Sequence, residues 1–300
     1  MFADAVRTLL FYLFSGACLL VASLFFYVVL YKTPPKMWLF RNTIVNLAIW
    51  YMLSALNIGL ILQPSYESHN STFCVHFHGL IKHHSNALYM FIFICFLCCG
   101  NAMAALIACF VFRCAQVRTS GSFPVLVVTA LLHGGFLLFS GTFGFLILFT
   151  DHAYITGEIY LCFDEDHQVL FNRHFVIVTV ASVGIAGVIV FLTFLTLRTL
   201  RARKSSMTAK TYKLHVLLVV NLVILVVLPV VFDIIPIVVL APIIYFDSSY
   251  IYISLSIADY LPFFDVILSI SATLIFVTPY RQSLRRMLWK EHVIRGRARY

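Results

Sequence analysis

The stretch Ala258-Asp-Tyr-Leu-Pro-Phe-Phe-Asp-Val266 runs on through Ile270-Ser-Ala272 to Thr278-Pro-Tyr-Arg281. It is apolar for long enough to cross a bilayer, yet it carries Pro262 and two acids, Asp259 and Asp265, at its first end. Its other end, Pro279-Tyr280-Arg281, opens into a basic tail with Arg285, Arg286 and Lys290. A charged side chain inside a span costs about 2.5–3.5 kcal/mol on insertion scales, so it faces a cavity or a partner. A basic cluster at the end of a span stays in the cytoplasm. One segment thus proposes an outside, an inside and a polar interior.

Composition supports a membrane reading throughout. Of 300 residues 62% are hydrophobic and 11% charged, with a mean hydropathy of +0.97. A soluble domain holds roughly 25% charged residues. About 20 apolar residues span about 30 Å of hydrocarbon as a helix. Seven such runs are present, roughly 5–31, 42–62, 84–112, 124–149, 174–199, 214–240 and 250–277, with a basic tail over 278–300. The first run, Ala5 to Tyr31, is about twice the length of a signal-peptide core and lacks a small-residue cleavage site, so it reads as the first span. The expected architecture is an all-α membrane protein, a seven-transmembrane-helix bundle in one domain over 1–300.

Seven spans place the two ends on opposite sides, and the cations sort accordingly. Of 21 Lys and Arg, only Arg7, Lys82 and Arg173 are left for the side that holds the N-terminus. The positive-inside rule then puts the N-terminus outside and the tail in the cytoplasm. This reading of the net charge of +9 outranks nucleic-acid binding. Asn70-Ser-Thr72 fits the N-glycosylation acceptor pattern and falls in a loop assigned outside. Of eight cysteines, only Cys74 and Cys162 fall on that oxidising side, where disulfides persist, so they are expected to pair. Cys95, Cys98 and Cys99 resemble a metal set on paper, but on an apolar helix they read as small packing residues. Eight of eleven histidines lie outside, and they read as polar residues of helix starts and loops rather than as a zinc or pH site.

Two further segments bear polar chemistry. The third span is long enough to tilt through the centre of a bundle, and Arg113 emerges at its cytoplasmic end. The sixth holds Leu228-Pro-Val-Val-Phe-Asp-Ile-Ile-Pro236, in which Pro229 and Pro236 each remove a helical hydrogen bond. Asp233, Asp259 and Asp265 have no basic residue deep in the membrane to pair with. Either they are protonated and hydrogen-bonded, or they line a wet cavity; Asp259 also reads as a simple cap on the outer end of the seventh span. Signatures of zinc proteases, nucleophile elbows, phosphate loops and haem pairs are absent from the sequence.

Seven spans, an outer N-terminus, a Cys74/Cys162 pair and an Arg closing the third span resemble a G-protein-coupled receptor. The details are not rhodopsin-like: Tyr51 stands where that family has an Asp, Phe112 precedes Arg113, and the seventh span has no lysine for a retinal Schiff base. The closer resemblance is to the nematode serpentine chemoreceptor superfamily, the Str group, and within it the Srh and Sri types. Asn46-Leu-Ala-Ile-Trp50 with Gln63-Pro64 resembles their second helix, and Cys109-Phe-Val-Phe-Arg-Cys-Ala-Gln116 the end of their third. Pro229 with Pro236, then Phe276-Val-Thr-Pro-Tyr-Arg281, resemble their sixth and seventh. Cys114 departs from the His or Tyr that usually follows the Arg.

The resemblance implies a chemosensory receptor in the plasma membrane, of sensory cilia by family. It would couple a small extracellular ligand to a heterotrimeric G protein on the cytoplasmic side, with no cofactor and no nucleic-acid partner. The expected ligand contacts are Asn86, Tyr89, Asp233, Asp259, Tyr260 and Asp265, between spans 3, 5, 6 and 7. The expected coupling residues are Arg113, Arg201, Arg203, Lys204 and Arg281. The rival reading is a transporter or proton pathway, since intramembrane acids beside helix-breaking prolines are what transporters use. Against it, the seven unlike spans show no internal repeat.

Overall fold

The computed structural model describes residues 2–34, 37–69, 72–83, 85–118, 125–146, 148, 154–156, 160–163, 165–206, 208–245 and 250–297. Among these described residues seven helical segments are long and apolar enough to cross a membrane: Ala5–Lys32, Trp38–Leu62, Ala87–Arg113, Leu126–Phe145, Val176–Ala202, His215–Ile243 and Ile251–Phe276. They are carried by α1 (Phe2–Lys32), α2 (Trp38–Leu56) with a π-helical turn over Asn57–Leu62, α3 (Ser85–Arg118), α4 (Val125–Phe145) and α5 (Glu165–Ala202). The sixth span joins α6 (Ala209–Pro229) to α7 (Ile235–Tyr245) through a π-helical turn, Val230–Ile234. The seventh is two pieces, α8 (Ile251–Ala258) and α9 (Leu261–Phe276), and the tail forms α10 (Thr278–Arg297).

Several boundaries move from those expected. The third helix reaches Arg118 instead of 112, and the fifth begins at Glu165 instead of 174. Polar residues continue a helix beyond the hydrocarbon wherever its backbone bonds propagate, and hydropathy does not register them. The irregularities of spans 6 and 7 follow from proline. Pro229 has no N–H to donate, and the chain widens into the π turn directly after it. Pro262 sits in the first turn of α9, where a missing N–H costs little, and the helix in front of it stops at Ala258.

To the expected helical bundle the structure adds a small sheet. At the end that holds Ala5 a four-stranded antiparallel sheet, in the order β1-β2-β4-β3, caps the bundle. Its strands are β1 (Pro64–His69), β2 (Thr72–Phe77), β3 (Tyr154–Thr156) and β4 (Tyr160–Phe163). β3 and β4, of three and four residues, are too short to show a clear period, and the pairing of β2 with β4 joins segments far apart in the chain. Cys74 and Cys162 are direct cross-strand partners in that pairing, and they form a disulfide. Serine at Cys162 is expected to lower stability by about 2–4 kcal/mol. Thermal unfolding of the purified wild type with and without reductant checks the figure, and reductant should leave the variant unmoved.

The first hairpin is docked on the second span by backbone contacts. Gln63 takes the left-handed conformation, φ 47°; its backbone N–H donates to the Ile58 carbonyl at 2.8 Å and its buried side-chain Nε2 to the Gly59 carbonyl at 2.9 Å. Gly79 donates to the Leu62 carbonyl at 3.1 Å, and a Cβ there would collide with the Ile61 and Leu60 carbonyl groups. That Gln63-Pro64 turn therefore aims β1 back across the bundle end.

Spans 1, 2, 3, 6 and 7 build the core, around fully buried Phe11, Phe25, Phe110, Phe263, Leu222 and Tyr280. α3 would be about 51 Å long at 34 residues, and it packs against α2, α4, α5 and α6. Its buried Ala102, Ala104, Ala105 and Ala108 let neighbouring backbones approach, the usual device where lipid supplies no hydrophobic drive between helices.

A chain of side-chain hydrogen bonds ties spans 2, 3 and 4 together. Trp50 Nε1 donates to Asn46 Oδ1 at 3.2 Å, which turns the Asn46 amide nitrogen toward His133 Nε2, 2.9 Å away. On the other side His133 Nδ1 meets Asn101 Oδ1 at 2.7 Å, while the Asn101 amide donates to the Leu97 carbonyl. Only the neutral Nδ1–H tautomer satisfies both contacts. Leucine at His133 leaves both asparagines short of a partner, and a loss of about 1–2 kcal/mol is expected by thermal unfolding in detergent.

Candidate functional site

The π turn of span 6 puts Asp233 on the wall of a cavity between spans 2, 3, 6 and 7. The cavity measures about 230 Å³. Asp265, from α9, faces it from the other side; it is 2% exposed and accepts a hydrogen bond from Ser269 at 3.0 Å, one helical turn along. Span 2 contributes Tyr51 and Ser54, and span 3 contributes Cys99 and Met103. Ser54 Oγ and Cys99 Sγ lie 3.2 Å apart. The Tyr51 hydroxyl is buried beside the Asp265 carboxyl, and Asp233 Oδ1 meets no hydrogen-bond partner. The remaining wall is apolar, with Ala55, Ile58, Phe232 and Val266.

The six residues expected at one ligand site are not together. Asp233 and Asp265 share this cavity, but Asp259 and Tyr260 are not part of its lining. Asp259 closes α8 without capping it through its side chain, and its Oδ1 accepts from the hydroxyl of Tyr66 on β1 at 2.9 Å, tying span 7 to the sheet. Burial holds the Tyr66 phenol well above its ordinary 10.0, and the neighbouring Asp259 carboxyl adds to the shift. Tyr260 stacks on Phe11 of α1, with ring centroids 4.8 Å apart. Tyr89 packs with the apolar cluster beneath the sheet, around Leu62, Phe77 and Leu88. Asn86 lies in the first turn of α3, its side chain outside the described residues, as is Asn70 altogether. Span 2, rather than span 5, forms the fourth wall.

Missed in the sequence were Tyr51, Ser54 and Cys99. For Tyr51 a signal existed, since it occupies the place of an intramembrane Asp in rhodopsin-like receptors. Cys99 stood in the Cys95, Cys98 and Cys99 set that reads as packing, and Ser54 had no signal, because small residues on apolar helices pack far more often than they bind.

At the opposite, basic end Arg113 is 4% exposed. Its guanidinium lies over the ring of Phe40 on α2, 4.8 Å from the centroid. His215 of α6 and Tyr280 at the start of α10 lie within electrostatic range of it. Tyr280 is fully buried, its hydroxyl oxygen accepting from Thr33 at 3.1 Å. Arg201, Arg203, Lys204 and Arg281 are exposed around the same end, with Lys204 over the Tyr212 ring at 5.8 Å. The structure thus encloses one of the five expected coupling cations and presents the other four.

Residues 4–290 match the family described as serpentine type 7TM GPCR chemoreceptor Srh. The chain belongs to the Srh family. It is accordingly a multi-pass membrane protein of a chemoreceptor family, and the resemblance carried by spans 2, 3, 6 and 7 holds at family level. No curated protein matches the chain. The segments that resemble Srh receptors have structural work in this member: Asn46 and Trp50 anchor the His133 chain, Gln63 makes the left-handed turn, and Pro229 precedes the π turn.

Proposed function

We propose that this Srh chain binds a small extracellular ligand in the cavity beside Asp233 and Asp265 and signals to a heterotrimeric G protein at its basic end. The observation that carries the reading is the position of Asp233. It sits in the π turn of span 6, a wide turn with weaker bonding than an α-helix and a frequent feature of functional sites. Below that turn α6 runs to His215, beside enclosed Arg113. A ligand that contacts Asp233 acts on the joint of the helix whose other end covers Arg113.

In this reading the sheet end faces outside and the tail faces the cytoplasm, which cation asymmetry and the disulfide support. The chain resides in the plasma membrane, by family resemblance that of sensory cilia, and Asn70 carries a glycan. Arg201, Arg203, Lys204 and Arg281 form the cationic rim that meets the G protein, and Arg113 is uncovered when α6 swings. A ligand shifts this balance only as far as it binds one arrangement better than the other.

The test is a second-messenger assay in cells displaying the receptor, screened with small volatile and water-soluble compounds. A ligand-dependent signal that disappears in Arg113→Ala at equal surface expression supports the proposal. Ligand-dependent solute flux without G-protein activation would favour the transporter class instead.

A further inference from the structure

The cavity's polar groups are unevenly partnered. Asp233 Oδ1 meets no hydrogen-bond partner, and Asp265 is met by hydroxyl groups, Ser269 at 3.0 Å and, beside it, Tyr51 on a residue 6% exposed. Asp233 and Asp265 are close enough to act on each other electrostatically. Among the described residues no Lys, Arg or His lines the cavity. Two carboxyl groups facing one low-dielectric space need either a proton between them or a cation. Carboxylates only accept hydrogen bonds, and a phenol oxygen accepts as well as donates.

We infer that the cavity takes a small organic ammonium ion, its nitrogen set between Asp233, Asp265 and the Tyr51 hydroxyl. The inference rests on the receptor reading above, though binding can be measured apart from signalling. An ammonium group brings three donors and no acceptor, and its single positive charge balances one carboxylate while the other acid keeps its proton and accepts through its carbonyl oxygen. A neutral alcohol supplies one donor and leaves the acids uncompensated. A carboxylic acid ligand adds a further negative charge. The hydrocarbon part of the ligand meets Ala55, Ile58, Met103, Phe232 and Val266. A space of about 230 Å³ exceeds the roughly 150 Å³ that holds a benzene molecule in a dry apolar cavity.

The experiment follows thermal unfolding of the purified full-length receptor in detergent. The probes are two matched pairs: phenethylamine with phenethyl alcohol, and isoamylamine with isoamyl alcohol. Each amine is expected to stabilise at concentrations about tenfold or more below its alcohol, the preference a charge-assisted contact gives. That preference is expected to vanish in Asp233→Asn and in Asp265→Asn. Tyr51→Phe keeps both acids and serves if an Asn variant does not fold; its amine preference should drop about threefold or more. Four outcomes overturn the assignment: alcohols matching amines, no stabilisation by either, an amine preference unchanged in these variants, or an equal shift from sodium chloride when N-methyl-D-glucamine chloride is the reference salt. Nucleotide exchange on a G protein, run with the same compounds, keeps the two readings separate. Selective amine binding without exchange counts against the receptor reading alone, and exchange driven by the alcohols alone counts against the ammonium site alone.

Discussion

Valine at Gly59 will cost about 3 kcal/mol or more and deplete the folded receptor. Gly59 lies in the π turn that ends span 2, where spans 1, 2 and 7 cross. A Cβ built there collides with Ser15 Oγ and approaches two ring atoms of Phe263 to 2.7 and 2.8 Å. Ser15 and Phe263 are both fully buried, and Phe263 is fixed between Phe11 and Phe14 at centroid distances of 6.0 Å. No flexible chain end is available to yield, so the backbone of one span must shift. Glycine at this place permits the close approach, and the rest of the crossing depends on it. The measurement is the fraction of receptor remaining monodisperse after heating in detergent. A variant as heat-stable as the wild type would show that the crossing repacks.

Alanine at Tyr280 will cost about 3–5 kcal/mol, the range for removing a buried aromatic ring. Tyr280 is 0% exposed at the junction of α9 and α10, hydrogen-bonded to Thr33 just after α1 and within electrostatic range of Arg113. Its loss opens a hole beside Arg113, so ligand-independent nucleotide exchange is also expected to rise in whatever fraction folds. Tyr280→Phe preserves the ring and separates the two effects: it should lose about 1 kcal/mol and stay quiet. The phenol also confers a pH dependence. Burial raises it above its ordinary 10.0, with the Thr33 bond, Arg41 and Arg113 opposing that rise. The fold prefers the neutral phenol, so its contribution is complete below pH 10 and is lost as pH climbs toward the folded value. Unfolding temperatures measured between neutral pH and about pH 11 should therefore fall less steeply for Tyr280→Phe than for the wild type.

The partial grouping of the acids shows where reading along the chain stopped short. Asp259 and Asp265 are six residues apart, about 240° round an ideal helix, so they could not share a face even without the break at Ala258. Asp265 and Ser269 are four apart and do share one, which the hydrogen bond between them confirms. The meeting of Asp233 with Asp265 had no such signature. A π turn accommodates an extra residue and rotates everything beyond it by about 100°, so the direction of Asp233 depends on a distortion that helical counting does not contain.

By itself the sequence determined seven spans, because hydrocarbon thickness imposes a length that composition reports directly. It also determined the sorting of cations to one end and the isolation of two cysteines at the other. The strand pairing that holds Cys74 against Cys162, the tie between Tyr66 and Asp259, and the enclosure of Arg113 under Phe40 were decided only in the tertiary structure. Each joins residues remote in the chain, and helices equally apolar on every side carry no mark of which face meets which neighbour.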